Sequence, residues 1–113
     1  MESLSITLKI DGKDKRFVTP SFIPGKLFRQ ASEISDEFEK GNVDKVNFDK
    51  YFQFVCDVFE NKFDIEQFEN GMDARKILNT VYATTHYVIG NVEIAIQMLS
   101  DEESKNDQSE SKN

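Results

Sequence analysis

The apolar residues of this chain change their repeat once, and that change limits the fold more than any other feature. Leu4, Ile6, Leu8 and Ile10 alternate with Ser5, Thr7 and Lys9, so the apolar set lies on one face of an extended strand. Asp11-Gly12-Lys13-Asp14 supplies turn residues, and Arg16-Phe17-Val18-Thr19 resumes the extended pattern, which predicts a β-hairpin over 4–19. Beyond Leu27 the apolar residues recur at helical spacing instead. A lone hairpin is marginal in water, so its apolar face must dock on helices or pair with another chain. The pattern predicts a mostly α (α+β) chain: an N-terminal hairpin, then a small bundle of four to five helices.

The helices are expected at about 25–40, 47–60, 64–70, 73–90 and 92–99. Pro20 and Pro24 bracket a connector, after which Leu27, Ala31, Ile34 and Phe38 mark the first helix. Phe48, Phe52, Val55 and Phe59 mark the second, with Asn47 placed to cap it. Asp64 and Gln67 have the spacing of a capping box, with Phe63 and Phe68 at the hydrophobic-staple positions. Asp73 opens a longer run through Ile77, Val81, Thr85 and Val88. Gly90-Asn91 then interrupts it as a kink or a helix break, and Val92, Ala95, Ile96 and Leu99 resume helical spacing. All ten phenylalanines fall between Phe17 and Phe68, which centres the expected core on the first helices. The face at 77–89 reads as core. The stripe Val92/Ala95/Ile96/Leu99 reads equally as core or as a partner-binding surface.

At 113 residues the chain has the length of one domain, expected over 1–99. Residues 100–113 carry five acids, two bases and no hydrophobic side chain, and are expected to be a disordered acidic tail. The net charge of −7 is uneven: +3 over residues 1–30 and −7 over residues 31–70. An acidic middle repels phosphate, which disfavours nucleic acid as a partner. No apolar run approaches the length of a bilayer span, and no secretory signal is visible at the start. With a single cysteine, these features favour a reducing, cytoplasmic setting and no membrane partner.

The supply of catalytic groups is thin. Cys56 and His86 are the one thiol and the one imidazole. A Cys–His dyad would activate the thiol, but Cys56 beside Val55 on an apolar face reads as a small hydrophobe. Two ligands cannot close a zinc site. Asn42, Asp44, Asn47 and Asp49 lack the spacing and the glycine of a calcium loop. Gly25-Lys26 lacks the rest of a phosphate loop. The sequence points to a binding protein with no cofactor, no metal and no catalytic residues.

One order of landmarks is more specific. Leu8-Lys9-Ile10-Asp11-Gly12-Lys13 and Phe17-Val18 are followed by Gly25-Lys26-Leu27-Phe28-Arg29-Gln30-Ala31 after a Pro-containing connector. Val55 to Phe68 then runs an apolar helix into Asn61-Lys62-Phe63-Asp64 and a short helix closed by Asn70-Gly71-Met72. Over roughly residues 4–90 this resembles the tail assembly chaperones of long-tailed bacteriophages, especially those of low-GC Gram-positive hosts. The chain departs at Glu60, where that family more often carries glycine. The resemblance implies a non-virion protein of the infected host's cytoplasm that keeps the tape measure protein soluble until tail tube protein polymerises around it. It also implies possible self-association and a longer form made by frameshift; Ser104-Lys105-Asn106 and Ser111-Lys112-Asn113 are compatible with a slippery A-rich stretch. The client-binding features it suggests are the stripe Val92/Ala95/Ile96/Leu99, the acidic belt and the acidic tail. Competing readings are an acidic nucleic-acid mimic that inhibits a host protein, and a structural subunit at a tail or capsid junction.

Overall fold

The computed structural model describes residues 2–100. Strand β1 (Ser5–Ile10) pairs antiparallel with β2 (Lys13–Val18). Asp11 and Gly12 turn the chain with φ of 54° and 78°, the doubly left-handed turn that suits the twist of a two-residue hairpin loop. Thr19 N–H donates to Leu4 O at 2.9 Å and extends the ladder by one pair. The alternation has its expected consequence: Leu4, Ile6 and Leu8 are buried, while Thr7 and Lys9 face solvent.

Five helices follow: α1 (Gly25–Glu39), α2 (Phe48–Val58), α3 (Ile65–Gly71), α4 (Ile77–Ile89) and α5 (92–100). The architecture is thus mostly helical behind an N-terminal hairpin. Helix α1 packs on α4 and α2, and α3 lies against β1. Ile6, Leu8, Leu27, Ala31, Ile34, Phe54, Val55, Phe59, Phe63, Phe68 and Val81 share the main core. Phe63 and Phe68 stack at 5.9 Å between centroids, and Phe17 meets Phe63 edge-on at 4.9 Å, so the hairpin and the stapled helix join in one aromatic cluster.

Local chemistry sets the helix ends. Asp64 accepts from Gln67 N–H at 2.8 Å while the Gln67 side chain accepts from Asp64 N–H at 3.0 Å, a complete capping box. Asn47 makes no capping hydrogen bond to α2; its amide donates to Glu37 at 3.4 Å, and Asp44 instead caps the 3-10 turn Lys45–Asn47. The run expected from Asp73 becomes regular helix only at Ile77, because the Asp73 carboxylate closes a turn on Arg75 N–H at 2.8 Å. Gly90, at φ 115°, ends α4 in the left-handed conformation, and Asn91 N–H donates to His86 O at 2.8 Å. Residues 92–100 are therefore a separate helix and not the far side of a kink. Ser100, read from sequence as the first residue of the tail, closes α5; the rest of the expected acidic tail lies outside the described residues.

Candidate partner-binding surface

Helix α5 turns its apolar stripe inward. Ala95 is wholly buried against Leu4 and Tyr87, and Val92, Ile96 and Leu99 are half-buried on the same small cluster. Its outer face leaves Ile94 50% exposed. The stripe that could have served a partner serves packing in this conformation, since it covers the start of the hairpin.

Two of the ten phenylalanines stay outside the core. Phe22 is 76% exposed and Phe28 is 52% exposed. Their positions follow from local structure. Phe22 lies in the connector between Pro20 and Pro24, whose rings fix φ and hold the segment extended. Ile23 turns toward both core clusters, which leaves its neighbour Phe22 to solvent. On α1, Leu27, Ala31 and Ile34 face inward, so Phe28, about 100° around the helix from Leu27, faces out. Lys26 and Arg29 stand exposed beside Phe28.

Phe22, Pro20 and Pro24 form one wall of a shallow groove of about 270 Å³, and Asp57, Val58 and Glu60 form the other. Glu60 and Asn61 hold φ of 59° and 55°, left-handed backbone that costs an ordinary L-residue roughly 1–2 kcal/mol. An exposed aromatic ring such as Phe22, lining a groove of mixed charge, has the composition of a binding anchor. Sequence pattern alone does not reveal Phe22, because a phenylalanine between prolines has no helical phase to place it until the connector's path is known.

The two residues with chemical potential are occupied otherwise. Burial, with the nearby charges of Asp57 and Asp64, pushes the Cys56 thiol up to about 12, so it stays protonated and unreactive at neutral pH. His86 sets Nδ1 3.2 Å from the Asn91 amide and packs its ring on Tyr82 at 4.6 Å. Among the described residues no three His, Cys, Asp or Glu side chains gather as a metal site, and no helix is long and apolar enough to cross a membrane.

Residues 1–113 match a family model described as phage tail chaperone protein. No curated protein and no solved structure matches the chain.

Proposed function

We propose a role that starts from what this match shows: the chain belongs to the phage tail chaperone family. Its client is the tape measure protein, which it keeps soluble during tail assembly and presents to tail tube protein. The observation that carries this reading is the pair Phe22 and Phe28, the two exposed rings in a fold that buries or half-buries every other aromatic side chain. An apolar, helical client offers side chains that such a surface can cover, and Lys26 and Arg29 add contacts to acidic positions on it. The net charge of −7 then keeps the complex dissolved. Because the stripe on α5 is engaged with Leu4 and Tyr87, the connector and the first turn of α1 are the first surface to test. The work is done in the cytoplasm of the infected cell, and the chaperone leaves before the particle is complete.

Co-expression with a tape measure fragment tests the proposal. The unaltered chain keeps the fragment in the soluble fraction, and the Phe22→Ser/Phe28→Ser variant leaves it in the pellet while melting at the same temperature. Precipitation of the fragment regardless of the unaltered chain would reject the role. Equal rescue by both forms would reject the surface. Mass spectrometry of purified particles checks the transient association, since the chaperone is expected to be absent from them.

A further inference from the structure

The shape of the groove beside Phe22 decides what it can hold. At about 270 Å³ it falls below the roughly 300–1,000 Å³ of pockets that enclose small molecules, and leaves room for one large side chain. Leu27 and Val58, both buried, line its base. The residues around it belong to the connector, the start of α1 and the end of α2, so no strand borders it. Pro20 and Pro24 have no N–H to offer. Main-chain pairing is therefore not the means of recognition here, and a side chain presented by a helix suits such a groove.

Charge is placed unevenly around this apolar base. Asp57 and Glu60 stand on the α2 side, and Lys26 on the α1 side. The Asp57 carboxylate accepts from the neutral Gln53 amide at 2.9 Å and forms no ion pair among the described residues. Glu60 has only Lys62 at 4.0 Å, an exposed contact of little worth. Glu60 also holds its carboxylate on left-handed backbone, φ 59°, which glycine would adopt without strain. Two carboxylates with almost no internal counter-charge thus flank an apolar base beside an exposed ring. Complementarity calls for a cation next to an apolar side chain, and a helix presents the two together at a spacing of three or four residues.

We propose that this groove takes an amphipathic helix of the client, with a large apolar side chain seated on Phe22 and Val58 and a Lys or Arg, one turn away, facing Asp57 and Glu60. Lys26, across the groove, favours an acid on the opposite flank of that helix and so sets its direction. The inference rests on the reading that the Phe22 surface meets the client, and adds the charge by which a client segment is chosen. A helix with the same apolar side chains but acids in place of bases meets Asp57 and Glu60 with like charge and is rejected. Retaining a carboxylate at position 60, at some expense of stability, is the usual trade of a binding residue.

Overlapping peptides of the tape measure protein, added to the isotope-labelled full chain, test it. Peptides with Lys or Arg three or four residues from a large apolar side chain are expected to shift the amides of Phe22, Val58, Glu60 and Asn61. Changing that base to Glu, or introducing Asp57→Lys/Glu60→Lys, should weaken binding about tenfold, and combining the two changes should restore it. Glu60→Gly should melt higher yet bind more weakly, a split that a purely structural residue would not produce. Equal affinity across the charge swaps overturns the inference, as does the absence of any shift at these amides or shifts centred elsewhere. Shifts of the same amides on concentrating the chain alone overturn it too, since a second copy would then fill the groove. In each of these cases the chaperone role stands if co-expression keeps the client fragment soluble, and falls if the fragment precipitates. Melting curves verify that the Lys variant keeps the fold, and Glu60→Gln repeats the test with a smaller expected loss if it does not.

Discussion

Thr19 Oγ1 donates to the Tyr87 hydroxyl at 3.1 Å, and that hydroxyl donates in turn to the Glu2 carbonyl at 3.0 Å. Leu4 N–H donates to Thr19 Oγ1 at 2.9 Å, so one relay joins both ends of the hairpin to α4. A buried network of this kind has no spare partners.

Tyr87→Phe removes the middle of the relay and strands Thr19 Oγ1–H and the Glu2 carbonyl. The loss expected is about 1–2 kcal/mol. In a domain of this size each kcal/mol lowers Tm by roughly 4–8 °C. Far-UV circular dichroism melts measure it. An unchanged Tm would mean that the relay contributes nothing to docking the hairpin.

A second constraint on the hairpin is steric. A Cβ on Gly71 would stand 2.8 Å from Lys9 O and 3.0 Å from Leu8 Cβ, both fixed by the strand. Gly71→Ala must push α3 away from β1, at a cost of about 1–3 kcal/mol. Gly25→Ala is the control, because a Cβ there meets nothing within 4 Å. Urea titrations should show a lowered midpoint for the first variant alone.

Glu60 gives the opposite sign. At φ 59° it occupies backbone that glycine adopts freely, and its pairing with Lys62 at 4.0 Å is exposed and weak. Glu60→Gly relieves the left-handed strain and gives back part of the gain as chain entropy. The net expectation is a stabilisation of about 0.5–1 kcal/mol. A lower melting temperature would show that the Glu60 side chain makes a contribution that its exposure does not suggest.

What the sequence disclosed, and what it did not, follows from the range of each interaction. The hairpin and the capping box are written in neighbouring residues, so alternation from Leu4 to Ile10 and the Asp64–Gln67 spacing sufficed to place them. The glycine expected at position 60 also had a local cause, a left-handed residue that this chain fills with glutamate. Asn47 misled because it ends the 3-10 turn at φ −100° and ψ 4°, away from the extended backbone from which a capping side chain reaches its helix. The stripe on α5 was ambiguous for a deeper reason. Helical spacing shows that Val92, Ala95, Ile96 and Leu99 share a face, but not whether that face meets Leu4 and Tyr87 or another protein. Exposed Phe22 was hidden likewise, since only the folded path of the connector leaves it uncovered, whereas Phe28 falls off the Leu27/Ala31/Ile34 face by helical spacing alone.

The junction of α1 and α2 makes stability depend on pH at both extremes. Tyr51 donates its hydroxyl to Glu37 Oε1 at 2.6 Å, and Lys50 Nζ reaches Glu37 Oε2 at 2.8 Å. Burial, then the hydrogen bond and charge of Glu37, push the Tyr51 phenol up from 10 to about 12. Its folded pKa is raised, so its contribution is complete below pH 10 and is lost as pH rises from 10 towards 12. Glu37 is shifted the other way, held below its ordinary value chiefly by the hydrogen bonds from Lys50 and Tyr51. Its contribution is present above pH 4.5 and is lost on acidification below that. Tyr51→Phe separates the two limbs. The variant starts less stable at neutral pH, having lost the bond to Glu37, but should lack the alkaline fall that the phenol causes. Across the alkaline window the unaltered chain should lose on the order of 1–2 kcal/mol more than the variant. The two chains differ only in this hydroxyl, so the difference between their urea midpoints isolates the phenol. Parallel decline of the two would place the alkaline sensitivity elsewhere. At the acid end the variant keeps the Lys50 contact, so its fall below pH 4.5 should be shallower than that of the unaltered chain but not abolished.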